Sequence, residues 1–346
     1  MEGGGLRAEE EFLGYEEGED DEEEKALSEE EEEKQVRRRA GAAGLVPPPP
    51  SSAISPLLGC LPQVPAACPL TEEMLKEGLS LLCKIGNGLA HAYVKFEAKY
   101  KDLTDISLLE RFIHLRYVDL SENKLQDLSP LSSLTHLLWL KVDGNLLTSA
   151  HMQELPYLQI ISFAHNRIEN MEGITHPHLA SLSLKGNKIQ TALGLNQALY
   201  SLRILELRGN KLESTAGLYL PKLKNLYLAQ NAIRRLEGLE ALEQLSSLHL
   251  RDNELETLDG FSSSMKCLQY LNLRNNGISS LQEVAKLQVL PMLQALVLMD
   301  NPCSDETNYQ QEVLVQLPHL KRLDKEPKRQ EEEKEIEVSL QGDVTE

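Results

Sequence analysis

Aromatic residues are scarce in this 346-residue chain, 5% of the total with 10 tyrosines, 5 phenylalanines and one tryptophan. A core built on ring packing is thereby excluded, and any folded part must rest on aliphatic side chains. Cysteine is equally sparse. Cys60, Cys68, Cys83, Cys267 and Cys303 show neither metal-ligand spacing nor the paired clusters of secreted frameworks, which points to a reducing compartment. No run of 18 apolar residues occurs, and the amino terminus, "MEGGGLRAEEEF", has no basic region followed by an apolar stretch. The expectation is a soluble, intracellular, cytoplasmic protein with no membrane partner.

Catalytic signatures are missing as well. There is no glycine-rich phosphate loop, no HExxH and no GxSxG, and His136, His165 and His249 are scattered as surface or edge histidines are. The expectation is a non-enzymatic protein with no catalytic residues, no metal and no cofactor. The net charge is −19, of which residues 1–40 carry −11 and residues 325–346 carry −4, leaving −4 for residues 71–324. Acidity thus belongs to the tails, and the central part lacks the basic footprint that nucleic-acid binding requires.

What is present is a repeat. The stretch "LHLRDNELETL" returns as "VDLSENKLQDL", "LKVDGNLLTSA", "ISFAHNRIENM", "LSLKGNKIQTA", "LELRGNKLEST", "LYLAQNAIRRL", "LNLRNNGISSL" and "LVLMDNPCSDE". Its asparagines, Asn123, Asn145, Asn166, Asn187, Asn210, Asn231, Asn253, Asn276 and Asn301, are separated by 22, 21, 21, 23, 21, 22, 23 and 25 residues. A period of this length is that of leucine-rich repeats. The alternation of leucines, as in Leu248 and Leu250, gives a short strand with alternate residues inward, and the asparagine turns the chain where leucine cannot. Its amide both donates and accepts, so stacked asparagines form a structural ladder for the backbone groups that the turn leaves unpaired. The fold class is therefore α/β: a leucine-rich repeat solenoid with a curved parallel sheet, a short helical or irregular convex side, helical caps and disordered tails. Each repeat buries its leucines only against its neighbours, so length sets no limit on the array.

Composition divides the chain into six parts. Residues 1–40 are an acidic tail too charged to fold, and residues 41–70 are a proline-rich linker. Residues 71–91 read as a capping helix, with Thr71 as N-cap, Leu70 poised against Leu75, Met74, Leu75, Gly78, Leu81, Leu82 and Ile85 on one face, and Gly86 as the stop. Residues 92–302 hold one degenerate repeat, with Lys101 in the asparagine position, and about nine regular ones. Residues 303–324 read as a closing cap with a helical segment over 305–316, and residues 325–346 as a charged tail.

Strand residues between the core leucines face the concave surface, where partners of such arrays dock. One column there reads Ser121, Asp143, Ala164, Lys185, Arg208, Ala229, Arg251, Arg274 and Met299, and another begins Tyr117, Trp139 and Ile160. Lys185, Arg208, Arg251 and Arg274 are either a docking surface, an ordinary solvated face or an attractor for the acidic tail. Tyr117, Trp139 and Ile160 are the stronger anchors if exposed, because aromatic side chains carry much of the binding energy at interfaces.

The repeats, typified by "NAIRRLEGLEAL", resemble the 22-residue subclass of a phosphatase regulatory subunit. The closing "NPCSDETNY" and "VLVQLPHLKRLD" resemble a cap shared with a spliceosomal subunit and an axonemal dynein light chain. The nonrepetitive stretches "PLTEEMLKEGLSLLCKIGNGLAHAYVKFEAKYKDLTDISLLERFIHLRYVDLSEN" and "LESTAGLYLPKLKNLYLAQN" resemble the leucine-rich repeat-containing protein 23 family. That resemblance implies a non-enzymatic radial-spoke subunit of the ciliary or flagellar axoneme, partnered by radial-spoke head proteins and other axonemal proteins, and needed for spoke-head assembly and sperm motility. The competing readings are a regulatory subunit of a protein phosphatase and an acidic-tailed nuclear chaperone.

Overall fold

The computed structural model describes residues 66–86, 88–195, 199–324 and 326–327. The expectations for residues 1–40 and 328–346, and for most of the linker, lie outside the described residues. The described part forms one 13-stranded sheet whose strands follow each other in chain order. It opens with helix α1 (Glu72–Gly78), strand β1 (Leu79–Ile85) and strand β2 (Ala90–Glu97). Strands of three residues follow: β3 (Tyr117–Asp119), β4 (Trp139–Lys141), β5 (Ile160–Ser162), β6 (Ser181–Ser183), β7 (Ile204–Glu206), β8 (Asn225–Tyr227), β9 (Ser247–His249), β10 (Tyr270–Asn272) and β11 (Ala295–Val297). Helix α2 (Tyr309–Gln316), strand β12 (Arg322–Leu323) and strand β13 (Glu326–Pro327) close it.

From β2 to β12 all neighbours are parallel and in register, so equivalent residues of successive repeats form columns. The middle column, Val118, Leu140, Ile161, Leu182, Leu205, Leu226, Leu248, Leu271 and Leu296, is fully buried. A second core column, Leu120, Val142, Phe163, Leu184, Leu207, Leu228, Leu250, Leu273 and Leu298, follows two residues later and is equally buried. This is what period-two alternation dictates when one sheet face is covered and the other open. The convex side is made of short 3₁₀ turns such as Ser107–Arg111, Ser129–Ser133 and Leu281–Val289. Two of them start where an aspartate accepts from the serine two residues on, Asp105 from Ser107 and Asp127 from Ser129.

The asparagines lace the repeats together. Asn210 Nδ2 donates to the carbonyls of Leu207 and, one repeat earlier, Leu184, at 3.0 and 2.9 Å, while its Oδ1 accepts from Ile189 N at 3.0 Å. The same pattern runs from Asn123 to Asn301, with each Oδ1 taking a backbone N–H of the preceding repeat. The residue just before each asparagine lies in the left-handed region, with φ from 51° at Asn275 to 68° at Gly209. Glycine, aspartate or asparagine fills six of the nine positions for that reason, and Glu122, His165 and Gln230 the other three. At Gly186 a Cβ would also lie 2.5 Å from the exposed His165 ring, which would have to turn aside.

Three expectations are corrected at the ends. The capping helix over 71–91 is real only as α1, with Thr71 Oγ1 accepting from Met74 N. It stops at Gly78, where a Cβ would come within 2.4 Å of the Glu97 carbonyl and 2.6 Å of the Phe96 ring. Residues 79–85 then pair antiparallel with β2. Periodicity cannot separate helix from strand in so short an apolar run, and the hydrogen-bonding partner offered by β2 settles it. The linker's end is also tied down: Thr104 N donates to Cys68 O, Leu70 N donates to Asp105 O, and Leu70 is buried. At the other end, the helical segment over 305–316 is two pieces, a 3₁₀ turn at Pro302–Asp305 and then α2.

Candidate partner-binding face

The concave face is floored by the strand residues flanking the middle core column. Tyr117 and Trp139 are neighbours in register on β3 and β4, and both are half-buried. Ile160 is the next residue of that column but is only 4% exposed, which corrects its reading as an exposed anchor. Column neighbours lie only about 4.8 Å apart, so flanking strands leave a medium side chain little access to solvent. The whole stretch β5–β7 behaves alike: Ile160, Ser162, Ser181, Ser183, Ile204 and Glu206 are all buried. This floor of small or covered residues separates two aromatic regions.

The second region was legible only in part: Tyr270 ends the column that begins Tyr117, Trp139 and Ile160, but the column of Tyr227 and His249 was not among those read from the sequence. Tyr227 and His249 are in register at the third positions of β8 and β9, with ring centroids 4.6 Å apart, and Tyr270, at the first position of β10, brings its ring to 5.0 Å from His249. Ser247 Oγ lies 3.0 Å from His249 Nε2, and Tyr270 Oη accepts from Asn272 Nδ2 at 3.4 Å. All three rings are half-buried. The signal for Tyr227 and His249 was there to be read: the third strand position of successive repeats runs Asp119, Lys141, Ser162, Ser183, Glu206, Tyr227, His249, Asn272 and Val297.

The cations do not form a bare positive stripe. Lys185, Arg208, Arg251 and Arg274 are half-buried. Arg251 pairs with Asp252 at 3.1 Å and Arg274 with Asp300 at 2.7 Å. Lys185 and Arg208 are likewise engaged, and the Arg208 N–H donates to Glu206 Oε1 at 2.9 Å. At Arg251 and Arg274 the column therefore presents partly neutralised guanidinium groups, a surface that favours orientation of a partner over gross attraction.

Buried acids on this face are structural. Asp119, 2% exposed, accepts from the N–H and hydroxyl of Ser121 and from the Lys99 ammonium at 2.9 Å. That hydrogen bond holds the Lys99 pKa above its ordinary value. Asp143, half-buried, accepts from Ser162 Oγ and Ala164 N. Each carboxylate satisfies a backbone N–H at the carboxyl end of a strand, which a sheltered N–H requires. Among the described residues no group of three or more His, Cys, Asp or Glu is placed to hold a metal ion, and no helix is long and apolar enough to cross a membrane.

Three-residue parallel strands, one per 21–25 residues, laced by asparagines and carrying half-exposed rings inside, define a leucine-rich repeat protein of the interaction-scaffold class. The leucine-rich repeat family model matches residues 203–345. In solved structures the array is similar to the functional domain of InlJ from Listeria monocytogenes, with TM-score 0.52 and 18% identity over 66% of this chain and 52% of that one. The leucine-rich repeat domain of APL1B gives 0.50 and 22% over 59% and 60%. These likenesses concern the fold alone. Among sequences, leucine-rich repeat-containing protein 23 of Bos taurus is 64% identical over 270 residues, covering 78% of this chain and 79% of that protein. The Homo sapiens protein is 62% identical over 274 residues, 79% and 80% of the two chains, and the Xenopus tropicalis protein 55% over 273, 78% of each. The chain belongs to the leucine-rich repeat-containing protein 23 family.

Proposed function

We propose that this protein is a non-enzymatic scaffold subunit of axonemal radial spokes in cilia and flagella, with spoke-head proteins docking on its concave face. The observation that carries the docking site is the half-exposed pair Tyr117 and Trp139, adjacent on β3 and β4 with a covered floor beyond. Rigid rings lose little conformational entropy on binding and fill pockets in a partner, which is why they dominate interface energetics. Arg251 and Arg274, held by Asp252 and Asp300, then set register and association rate more than affinity. Family membership supports the radial-spoke assignment through the resemblance stated for the nonrepetitive stretches.

The test is capture from ciliated-tissue extract by wild type and by Tyr117→Ala with Trp139→Ala, after circular dichroism shows both folded. The double variant is expected to recover spoke-head proteins at least about tenfold less well, the loss of two anchors costing a few kcal/mol. Undiminished recovery sinks the concave-face reading, and capture of a phosphatase catalytic subunit in place of spoke proteins sinks the radial-spoke reading.

A further inference from the structure

The residues that lead into each strand form a lateral edge of the array that neither the core nor the concave face uses. Backbone hydrogen bonds of 2.8–2.9 Å tie them into a column: Leu138 N donates to Arg116 O, Gln159 N to Leu138 O, Ala180 N to Gln159 O, Arg203 N to Ala180 O and Lys224 N to Arg203 O. Two residues upstream runs a second column. In it His114, His136 and Tyr157 stack ring on ring, with centroids 6.2 Å apart at both steps and planes 15° and 10° from parallel. His178 and Lys222 continue that column, and the Lys222 ammonium lies 5.6 Å from the centre of the Tyr200 ring. Charge on this edge is of one sign. None of the three residues preceding each strand from β3 to β12 is aspartate or glutamate, and Glu243, in the repeat after Lys222, bounds the basic stretch. Arg116, Arg203, Lys222 and Lys224 are exposed and make no ion pair among the described residues. Cations elsewhere do find carboxylates: Lys124 pairs with Asp102 and Arg234 with Glu254 beyond the other ends of the strands, as Arg251 and Arg274 pair on the concave face.

We propose that this edge binds an extended segment of a partner protein rich in glutamate or aspartate, laid across the strand ends from Arg116 to Lys224. Charge complementarity selects that occupant. The two residues are five strand spacings apart, about 24 Å at 4.8 Å each, which about seven residues of extended chain cover at 3.3 Å per residue. Arg116 takes a carboxylate at one end, and Arg203, Lys222 and Lys224 take those at the other. Between them the His136, Tyr157 and His178 side chains offer N–H and O–H donors. A single exposed ion pair is weak, but four made to one segment act together. The rings favour a peptide over single-stranded nucleic acid: His114, His136 and Tyr157 are stacked on one another and turn edges outward, whereas a base needs a ring face. The net −4 of residues 71–324 repels a long polyanion, so recognition rests on short-range pairing to a short segment. This inference stands apart from the concave-face reading and survives its failure.

Fluorescence anisotropy on the full chain tests it with a dye-labelled dodecaglutamate peptide, a glycine-serine peptide of the same length and a dodecauridylate RNA. Dodecaglutamate is expected to bind at low salt and to lose at least about tenfold in affinity as salt is raised through the physiological range. Arg203→Glu with Lys224→Glu is expected to weaken that binding at least about tenfold, with unchanged circular dichroism. Lys188→Glu with Lys211→Glu, the same change in net charge at exposed positions just beyond Asn187 and Asn210, is expected to alter it less than about twofold. Equal weakening by the two pairs overturns the proposal, because net charge and not this edge would then set affinity. So does a failure of dodecaglutamate to bind, equal binding of the neutral peptide, or tighter binding of the RNA. Binding that emerges only after residues 1–65 are removed overturns it as well, and gives the edge to the chain's own acidic run.

Discussion

At the amino-terminal end the sheet stops in an antiparallel hairpin whose outer strand spans seven residues, whereas at the carboxyl-terminal end it stops in β12 and β13, two residues each. The same ladder meets both ends and is finished differently. At the front, Lys101 occupies the asparagine position: its N–H donates to Asn123 Oδ1 at 3.1 Å, and its ammonium pairs with Glu77 at 3.1 Å. At the back, Asp324 Oδ1 accepts from Leu298 N and Met299 N at 2.8 and 3.1 Å, and its Oδ2 from the Tyr309 hydroxyl at 3.0 Å. In an interior repeat the N–H equivalent to that of Leu298 reaches a carbonyl of the next strand, as Leu273 N reaches Val297 O at 2.8 Å. Asp324 thus supplies by side chain what a further repeat would supply by backbone. The back end closes its ladder with the Asp324 side chain, while at the front end the outer edge of β1 has no paired strand among the described residues and Leu81 and Leu82 are exposed.

The largest expected effect comes from opening the sealed end. Ending the chain at Ser304 removes the buried Tyr309, Val313, Leu314, Leu317, Leu320 and Leu323 and uncovers the last repeat. At about 1.5–3 kcal/mol for each buried side chain, the loss is on the order of 10 kcal/mol, comparable to the whole stability of a typical domain. Aggregation and loss of a cooperative thermal transition are expected, and a soluble monomer that melts cooperatively would show that the cap is dispensable.

Next in size is the ladder between the ends. Asn210→Leu leaves Ile189 N and the carbonyls of Leu184 and Leu207 without their partner, at about 1–3 kcal/mol for each group, so a loss of about 4 kcal/mol is expected in urea unfolding. Asn308→Ala, at an exposed position, is the control and should shift the midpoint little. Equal midpoints for Asn210→Leu and wild type would remove the ladder's energetic role.

Acid probes the interior apart from both ends. His176 is buried; its Nδ1 accepts from Leu155 N at 3.0 Å, and its Nε2 has no hydrogen-bond partner among the described residues. Burial pushes its pKa from 6.5 down to about 4. The unfolded chain therefore takes up the proton first, and the neutral ring's contribution, complete above pH 6.5, is lost as pH falls to about 4. That amounts to about 3 kcal/mol at 1.36 kcal/mol per pH unit. Denaturant titrations at neutral and acid pH should show wild type losing that much more than His176→Gln. Equal losses in the two would assign the acid response to other groups.

The smallest effect belongs to the front end. Lys101→Asn restores the repeat's missing asparagine but gives its Oδ1 no preceding repeat to serve, and it removes only an exposed ion pair with Glu77. A change within about 0.5 kcal/mol is expected by thermal unfolding. A gain of several kcal/mol would mean that a front-end asparagine finds partners in α1 or β1, and that the two ends are more alike than their hydrogen bonds suggest.

Much of this architecture could be read directly from residue spacing. The asparagine period determined the repeat length, the alternation around it determined which leucines are buried, and Lys101 marked the degenerate repeat, because each of these is a property of one repeat against an identical neighbour. Reading failed where the neighbour differs. "LSLLCKI" scans equally as a helical face, and only the close approach of Gly78 to Phe96 and pairing with β2 make it a strand. Ile160 belongs to the column of Tyr117 and Trp139, yet neighbours cover it. Tyr227, His249 and Tyr270 lie about one repeat apart in sequence but bring their ring centroids within 5.0 Å, and the arginines that look free in sequence are held by Asp252 and Asp300. Sequence by itself determined the winding, the core columns and the ladder, since periodic burial and hydrogen-bond satisfaction are local and repeat. Only the tertiary structure decided which concave side chains reach solvent and how each end of the sheet is closed, since both depend on contacts that occur once.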